Sequence, residues 1–332
     1  MLRTTLAFAS TLPVLASTAQ APDARFAPKS GLEVERRIER TFESRLDSWS
    51  ARMGGERIPS EFLPKLELES SETLELVLVD EHLTARDGRP IKLRREFRSL
   101  GGSSASKVVL DGQTVHEGTR QGSSALESCV VLFDEDAKVP RTLEYGECDA
   151  ALLGPLAIDL DWTAFLPRDA SAASWKVAAR EFHPFQRALG GIELQFEDLG
   201  QDEHVDRAQL ERNVEGEWRV TRGAQREIDG RRVALFTLEG KFSSHCEVAG
   251  ELRNVPVAQG KTNERSEELI ELTGELEWDL ERNVLAGLEL DGTTRLEHST
   301  KTLESNAGGA PVYEQDMLFT GDFSFAVRTG KP

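Results

Sequence analysis

The sequence lacks the catalytic motifs that have a sharp spacing. It contains no Gly-x-Ser-x-Gly elbow, no His-Glu-x-x-His pair, no phosphate-cradling glycine loop and no dinucleotide fingerprint. These absences lower the expectation of an enzyme without removing it, because the carboxylate pair of a glycosidase leaves no local signature. From the sequence we therefore predict no catalytic residue and no cofactor.

Histidine and cysteine are sparse. The six histidines occur singly, and none has a second histidine or a cysteine at the spacing of helical metal ligands, so no metal site is predicted. The adjacent pair His245-Cys246 suggests an activated thiol. On a strand, however, neighbouring side chains point to opposite faces, and Cys246 continues an apolar face. We therefore predict that Cys246 is a small buried residue.

Long apolar runs are missing beyond the first residues, which argues against a transmembrane helix. At the start, Arg3, the apolar stretch Leu6 to Ala16 and the small residues Ala19-Gln20-Ala21 follow the order of a secretory signal peptide, predicted over residues 1–21. We expect the chain to be exported, to the periplasm or the extracellular space.

Basic residues are outnumbered, with 40 lysines and arginines against 58 acidic residues and a net charge of -18. Such a charge repels phosphate backbones, so nucleic acid is not an expected partner. The partners that remain are an unknown protein or an apolar small molecule.

Two of the three cysteines are predicted to form a disulfide. Strand-like segments at residues 128–133 and 142–145 flank a turn-like acidic stretch, and folding them as a hairpin brings Cys129 and Cys148 level. In an oxidising compartment the bond would close a loop of about 20 residues and stabilise the fold by about 3 kcal/mol. Cys246 is left over.

The segment after the signal peptide, residues 22–59, is expected to begin disordered and to continue as an amphipathic helix. Ser30 and Glu33 have the spacing of a capping box, and Gly54-Gly55 would end the helix. Large apolar residues follow each other at intervals of three or four: Val34, Ile38, Phe42, Leu46, Trp49 and Met53. This face would pack on a sheet or, alternatively, bind a partner.

Further along, alternation of apolar and polar residues predicts a mainly β fold of long antiparallel meander strands, arranged as two lobes or half-barrels. The first lobe spans residues 60–200 and the second residues 201–332. Residues 149–200 depart from the alternation and form the expected seam. A few short helices are predicted there and just after it, over 182–189 and 201–213.

The C-terminal lobe has the strongest alternation. Apolar residues and the glycines Gly240, Gly274 and Gly321 share one face, which implies curvature or close packing. The opposite face carries an acidic column that needs interleaved cations such as Lys241 or Arg295. The apolar face offers a possible ligand surface consisting of Trp278, Leu276, Phe319 and Phe323.

Three short phrases carry a resemblance to a protein family. They are Phe165-Leu166-Pro167 leading to Trp175, the stretch Leu189 to Leu194, and the stretch Gly274 to Leu280. In these phrases the chain resembles a family of exported bacterial β-rich proteins of uncharacterised function, over residues of about 60 to 330. The resemblance implies a β-rich exported fold and brings no active site.

Three functions are compatible with these patterns. The first is a noncatalytic exported or envelope protein with a binding or structural role. The second is a carrier or sensor of an apolar ligand held on a curved sheet, an analogy at the level of the fold. The third is a hydrolase that uses carboxylates. A filled core with an exposed aromatic patch favours the first function, and a large dry cavity favours the second. Converging buried carboxylates in a cleft favour the third.

Overall fold

A computed structural model of the chain describes the following residues: 24–160, 162–169, 171–183, 190–192, 194–196, 213–228, 230–251, 261–303 and 311–331. The signal peptide predicted over residues 1–21 lies outside them. So does most of the two short helices predicted over 182–189 and 201–213.

The described residues form fourteen strands and four short 3-10 turns, without an α-helix. The strands are β1 Leu32–Met53, β2 Glu56–Arg57, β3 Leu66–Arg86, β4 Arg89–Leu110, β5 Gln113–Ser123, β6 Val130–Asp134, β7 Arg141–Tyr145, β8 Ser174–Ala178, β9 Gln195–Phe196, β10 Glu215–Ile228, β11 Arg231–Glu251, β12 Lys261–Asp279, β13 Val284–Leu303 and β14 Pro311–Gly330. The 3-10 turns are Ser60–Phe62, Ala150–Leu153, Trp162–Phe165 and Ala179–Glu181. The predicted mainly β class is confirmed.

All fourteen strands belong to one antiparallel sheet. Its main order is β7-β6-β4-β3-β1-β14-β13-β12-β11-β10-β8, with β2 beside β1, β5 beside the second half of β4, and β9 beside β5. The two predicted lobes are therefore joined, because β1 pairs with β3 on one side and with the last strand, β14, on the other.

The amphipathic helix predicted after residue 30 is wrong, because Leu32–Met53 is strand β1. Intervals of four residues also place side chains on one face of a strand, where the period is two. Between Val34, Ile38 and Phe42, the positions on the same face hold Arg36 and Arg40. Apolar residues at these two positions would have shown the strand period of two. A bulge at Asp47 then shifts the parity, so that Trp49 continues the same face as Leu46.

The sheet is strongly curved, as the contacts of one 3-10 turn show. In Trp162–Phe165, the ring of Trp162 lies 5.6 Å from the Arg36 guanidinium on β1, and Phe165 packs edge-on against Trp218 of β10 at 5.2 Å. Five strand spacings separate β1 from β10, about 24 Å on a flat sheet. A four-residue 3-10 turn is only about 6 Å long, so the sheet must curve around it.

The core lies on the concave, inner face of this sheet. Side chains from the segment 153–192 fill it, together with Ala24 and Phe26 from the stretch that is predicted to be disordered. Phe26 contacts His82 and Trp278 with its ring, so this N-terminal residue is part of the core. The strands extend well beyond the filled region, and the inner face there is only partly buried.

The predicted disulfide is present. Cys129 and Cys148 are bonded, with their Cα atoms 6.4 Å apart, and flank the antiparallel pair of β6 and β7 as the hairpin argument requires. Cys129 is buried in the core, so the bond ties the covering segment that begins near residue 149 to the sheet.

The acidic column on the outer face is interleaved with cations, as expected. Lys241 pairs with Glu271, and Arg226 lies 3.6 Å from Glu275. Burial, with the neighbouring charges of Glu275 and Glu289, raises the pKa of Glu277 above its ordinary value.

Candidate functional site

Four polar side chains meet inside the covered part of the sheet: Arg36 on β1, Asp80 and His82 on β3, and Arg95 on β4. All four are buried. Arg95 Nε donates to Asp80 Oδ1 at 2.7 Å and Arg95 Nη2 donates to Oδ2 at 3.1 Å, while Arg36 Nη1 also donates to Oδ2. Two guanidinium groups therefore share one carboxylate.

The charges of this cluster are set by its own members. Burial alone raises the pKa of Asp80, but Arg95 and Arg36 outweigh it and lower that pKa to about 2. Burial, helped by Arg36, lowers the pKa of His82 to about 3. The imidazole is therefore neutral at pH 7, and its Nε2 lies 3.3 Å from Arg36 Nη2 and accepts from it.

The same cluster holds the covering segment on the sheet. Arg95 Nη1 donates to the carbonyl of Ala157 at 3.1 Å, and Nη2 donates to that of Ile158 at 3.2 Å. The Trp162 ring covers Arg36, and the Phe133 ring lies 5.3 Å from the Arg95 guanidinium. The cluster therefore acts as a clamp between sheet and segment.

The space left beside the clamp is about 10 Å³. That is about the volume a single water needs, and too little for a substrate. The cluster is therefore a structural element. Two arginines that share one carboxylate, beside a histidine whose pKa is lowered, are otherwise typical of an active site.

Two pairs of side chains have the composition of a nucleophile with its base: Cys246 with His245, and Ser266 with His298. Cys246 is buried and His245 is exposed on the opposite face, as the alternation predicts. Ser266 Oγ lies 3.0 Å from His298 Nδ1, but the other ring nitrogen lies 3.1 Å from the Thr300 hydroxyl, where a catalytic triad needs a carboxylate. Among the described residues no group of three or more metal-ligating side chains occurs.

The ligand surface suggested by the alternation is mostly filled by protein. Trp278, Leu276 and Phe323 are buried in the core, where Trp278 packs on Phe26. Phe319 is half-buried. It lies on β14 two residues before Gly321, which pairs with Thr294 of β13. Only Phe319 of the four lies where a ligand could reach it without displacing the core.

Four exposed apolar side chains lie instead toward one end of the sheet, where β1, β3, β4 and β5 begin or end. The apolar tip consists of Met53, Phe62, Leu110 and Val115, whose exposed fractions are 62%, 75%, 38% and 59%. Leu110 pairs with Leu66 across the β3–β4 ladder, and Phe62 lies in the 3-10 turn between β2 and β3. Several large apolar side chains exposed at one end of a sheet make that end a candidate interaction surface.

The charge around the apolar tip differs from that of the whole chain. Residues 52–68 and 107–116 contain four basic and four acidic side chains, whereas the chain has a net charge of -18. Apolar residues surrounded by balanced charges are typical of the centre and rim of a protein–protein interface.

Beside the tip, a groove of about 790 Å³ crosses β13, β14, β1, β3, β4 and β5. Each strand contributes consecutive residues, such as Glu69, Ser70 and Ser71 of β3, so the lining includes residues of both faces of the sheet. The charged ones are Glu43, Arg45, Asp47, Glu69, Lys107, Glu117, Arg295 and Asp322. The groove is polar and of mixed charge, and it ends at β5.

Sequence reasoning missed both the clamp and the tip. The clamp was hidden because Arg36 lay in a segment assigned to a helix. The tip had a usable signal: Val108, Val109 and Leu110 precede an Asp111-Gly112 turn, and Val115 follows it, which is the pattern of a hairpin with an apolar end.

No protein-family model matches the chain, and no curated protein matches it in sequence. Among solved structures, the Pseudomonas aeruginosa protein OccK7 (OpdD) aligns with 90% of this chain and 98% of its own at 8% identity and a TM-score of 0.21. A likeness of that degree supports no conclusion about fold or function. Within the described residues, no helix is long and apolar enough to cross a membrane.

Proposed function

We propose that this chain is a noncatalytic exported protein that docks onto another protein through its apolar tip. The observation that carries the proposal is that Met53, Phe62, Leu110 and Val115 are exposed at the same end of the sheet. They are four of the six large apolar side chains that are exposed among the described residues. The clamp favours the same function, since the space beside it is too small for a substrate.

A protein partner fits the tip better than a membrane does. The four basic and four acidic side chains around the tip suit the polar rim of a protein interface. An anionic bilayer would meet a chain of net charge -18, which it repels.

The alternative function, a carrier of an apolar ligand, has one supporting observation. Beyond the filled core, the inner face carries the half-buried aromatic side chains Phe42, Trp49 and Phe319. Native mass spectrometry of the mature protein from its own exported fraction separates the two functions. A native mass that exceeds the denatured mass, with the difference identified as a lipid or other apolar molecule, would favour the carrier.

Support for the third function, a carboxylate hydrolase, is weak. Three carboxylates are buried among the described residues. Asp80 and Asp279 are held by arginine, Asp279 by Arg231 at 3.4 Å and Arg282 at 3.9 Å, and Glu268 accepts from the Ser244 hydroxyl at 3.4 Å. The low pKa of Asp80 keeps this carboxylate ionised, which makes it a poor general acid.

The docking proposal is tested by photocrosslinking in the exported fraction, with a photoreactive amino acid at position 62. The matched control carries it at Tyr145, which is equally exposed but lies on β7, away from the tip. We expect a protein adduct from position 62 only, and its loss in the variant Leu110→Asp, because a charge in the interface centre is desolvated on binding. Equal adducts from both positions, or a lipid adduct from position 62, would contradict the proposal.

A further inference from the structure

Strand β5 has one side without a partner strand in the described part of the chain. Its first side pairs with β4 along its whole length, from Gln113↔Leu110 to Ser123↔Gly101. On its second side, within the described residues, only Gly122 and Ser123 are paired, with the two residues of β9. Residues 113–121 are otherwise exposed or half-buried.

The register shows which backbone groups of β5 point away from β4. Asp111 N–H donates to the carbonyl of Lys65, so odd-numbered residues at this end of β4 direct their backbone groups toward β3. Ser104 and Ser106 then direct theirs toward β5, where they face Arg120 and Gly118. The intervening β5 residues, Glu117, Thr119 and Gln121, present N–H and C=O groups at the open side.

The open side of β5 lacks some of the features that prevent strand pairing. Edge strands are commonly protected by lysine, by proline, by a bulge, by an inward-pointing charge or by being very short. Strand β5 has a bulge at Val115 and the inward-pointing Arg120, but it lacks the other three features. Residues 113–121 contain neither lysine nor proline, and the strand is eleven residues long. The same side already accepts β9 of its own chain at Gly122 and Ser123, so added backbone fits there.

We propose that the open side of β5 binds an extended segment of the partner polypeptide as an added strand. The proposal rests on the proposed docking function and names how the partner is held: backbone hydrogen bonds give affinity, and alternate side chains give specificity. Val115, one of the four tip residues, belongs to β5 itself, so the strand and the tip would form one continuous interface.

The side chains of β5 define the kind of segment that fits. Residues 115–121 would pair with about seven residues over about 23 Å. Arg120 lies on the inner face and Glu117 on the outer face. The matching strand carries an acidic side chain opposite Arg120 and, on its other face, a basic side chain opposite Glu117.

The first measurement is hydrogen exchange of the mature protein alone and with a linear peptide selected against it from a phage-displayed library. We expect the amides of Glu117, Thr119 and Gln121 to exchange rapidly in the free protein and to become protected by the peptide. Protection of these amides already in the monomer would overturn the proposal, because the chain itself would then occupy the edge. Selection of no peptide, or of one that protects other amides only, would also overturn it.

The second measurement compares Thr119→Pro with Thr119→Val. The proline removes an N–H that points away from β4, so the hairpin keeps its own hydrogen bonds and an edge strand tolerates the change. We expect peptide affinity to fall about tenfold or more in Thr119→Pro and to stay within about twofold in Thr119→Val. If Thr119→Pro does not fold, Gln121→Pro replaces it. Equal affinity for the proline and valine variants would overturn the proposal.

The two proposals fail in distinguishable ways. In the exported fraction, Thr119→Pro should lose the crosslink from position 62, and Thr119→Val should keep it. A crosslink that persists in Thr119→Pro would leave docking through the tip intact and remove strand addition. Absence of the crosslink from the unaltered chain would remove docking itself.

Discussion

Asp80 and His82 show how two neighbouring titratable groups contribute to stability in different pH ranges. The pKa of Asp80, lowered to about 2, gives a contribution that is complete above its ordinary value near 3.8 and is lost as the pH falls toward 2. The pKa of His82 is lowered from 6.5 to about 3 in the folded chain. As the pH falls, the unfolded chain therefore binds a proton at His82 before the folded chain does. Between pH 6.5 and 3, acidification therefore destabilises the folded state through His82.

We predict that His82→Gln flattens this part of the pH dependence. A single group that is protonated only in the unfolded state lowers the free energy of unfolding by about 1.4 kcal/mol per pH unit. Urea unfolding at pH 6 and pH 4 should therefore show a larger loss in the original chain than in the variant. Glutamine keeps an acceptor for Arg36, so the variant should fold at pH 7.

The matched control for this prediction is His245→Gln, since His245 is exposed on the outer face. It should leave the pH dependence unchanged. A variant His82→Gln with the same slope as the original chain would show that His82 is accessible to protons in the folded state.

At the level of strands, the C-terminal meander was predictable and β1 was not. In β12, alternate residues from Ile270 to Trp278 are apolar, and the strand period is evident. In β1, the same inner face carries Arg36 and Arg40, which the sheet tolerates because Asp80 and Glu72 of β3 neutralise them. A pattern based on apolarity alone cannot recognise an inward arginine whose partner lies on another strand.

Close packing between strands gives a second prediction, at Gly274 of β12. A Cβ atom there would lie 2.0 Å from the carbonyl oxygen of Glu289 on β13 and 2.7 Å from the Leu290 side chain. Because the first obstacle is backbone, we expect Gly274→Ala to lower the free energy of unfolding by about 1–3 kcal/mol. Urea denaturation measures the change.

Gly330→Ala is the control for this substitution, since its Cβ would meet nothing within 4 Å. It should change the free energy of unfolding by less than about 0.5 kcal/mol. Equal effects of the two substitutions would mean that the loss comes from glycine's backbone flexibility, and that contact with Glu289 contributes nothing.

Over the whole molecule, the single sheet and the single core predict one unfolding transition. The hydrophobic cluster includes residues from both predicted lobes, such as Phe97 and Phe236, and the segment 153–182 contacts both sides of the sheet. Tryptophan fluorescence and far-ultraviolet circular dichroism should therefore give coincident urea transitions. Two separated transitions would show that the predicted lobes fold independently.

The site was less predictable than the fold because exposure depends on where strands end. Met53 and Phe62 have the same apolar character as the buried Phe97, and their sequence neighbours do not separate them. What distinguishes them is their place at the end of the sheet, beyond the covering segment. That place follows only from the pairing of β1 with β3 and β14.

The pairing of β1 with β14 also determines when the protein can finish folding. The Thr41 and Ser324 hydroxyls, 3.1 Å apart across this ladder, are separated by 283 residues of chain. At a synthesis rate of about 5–20 residues per second, β1 waits on the order of tens of seconds for its second partner. Strand β1 therefore stays paired on one side only until the last strand of the sheet has been made.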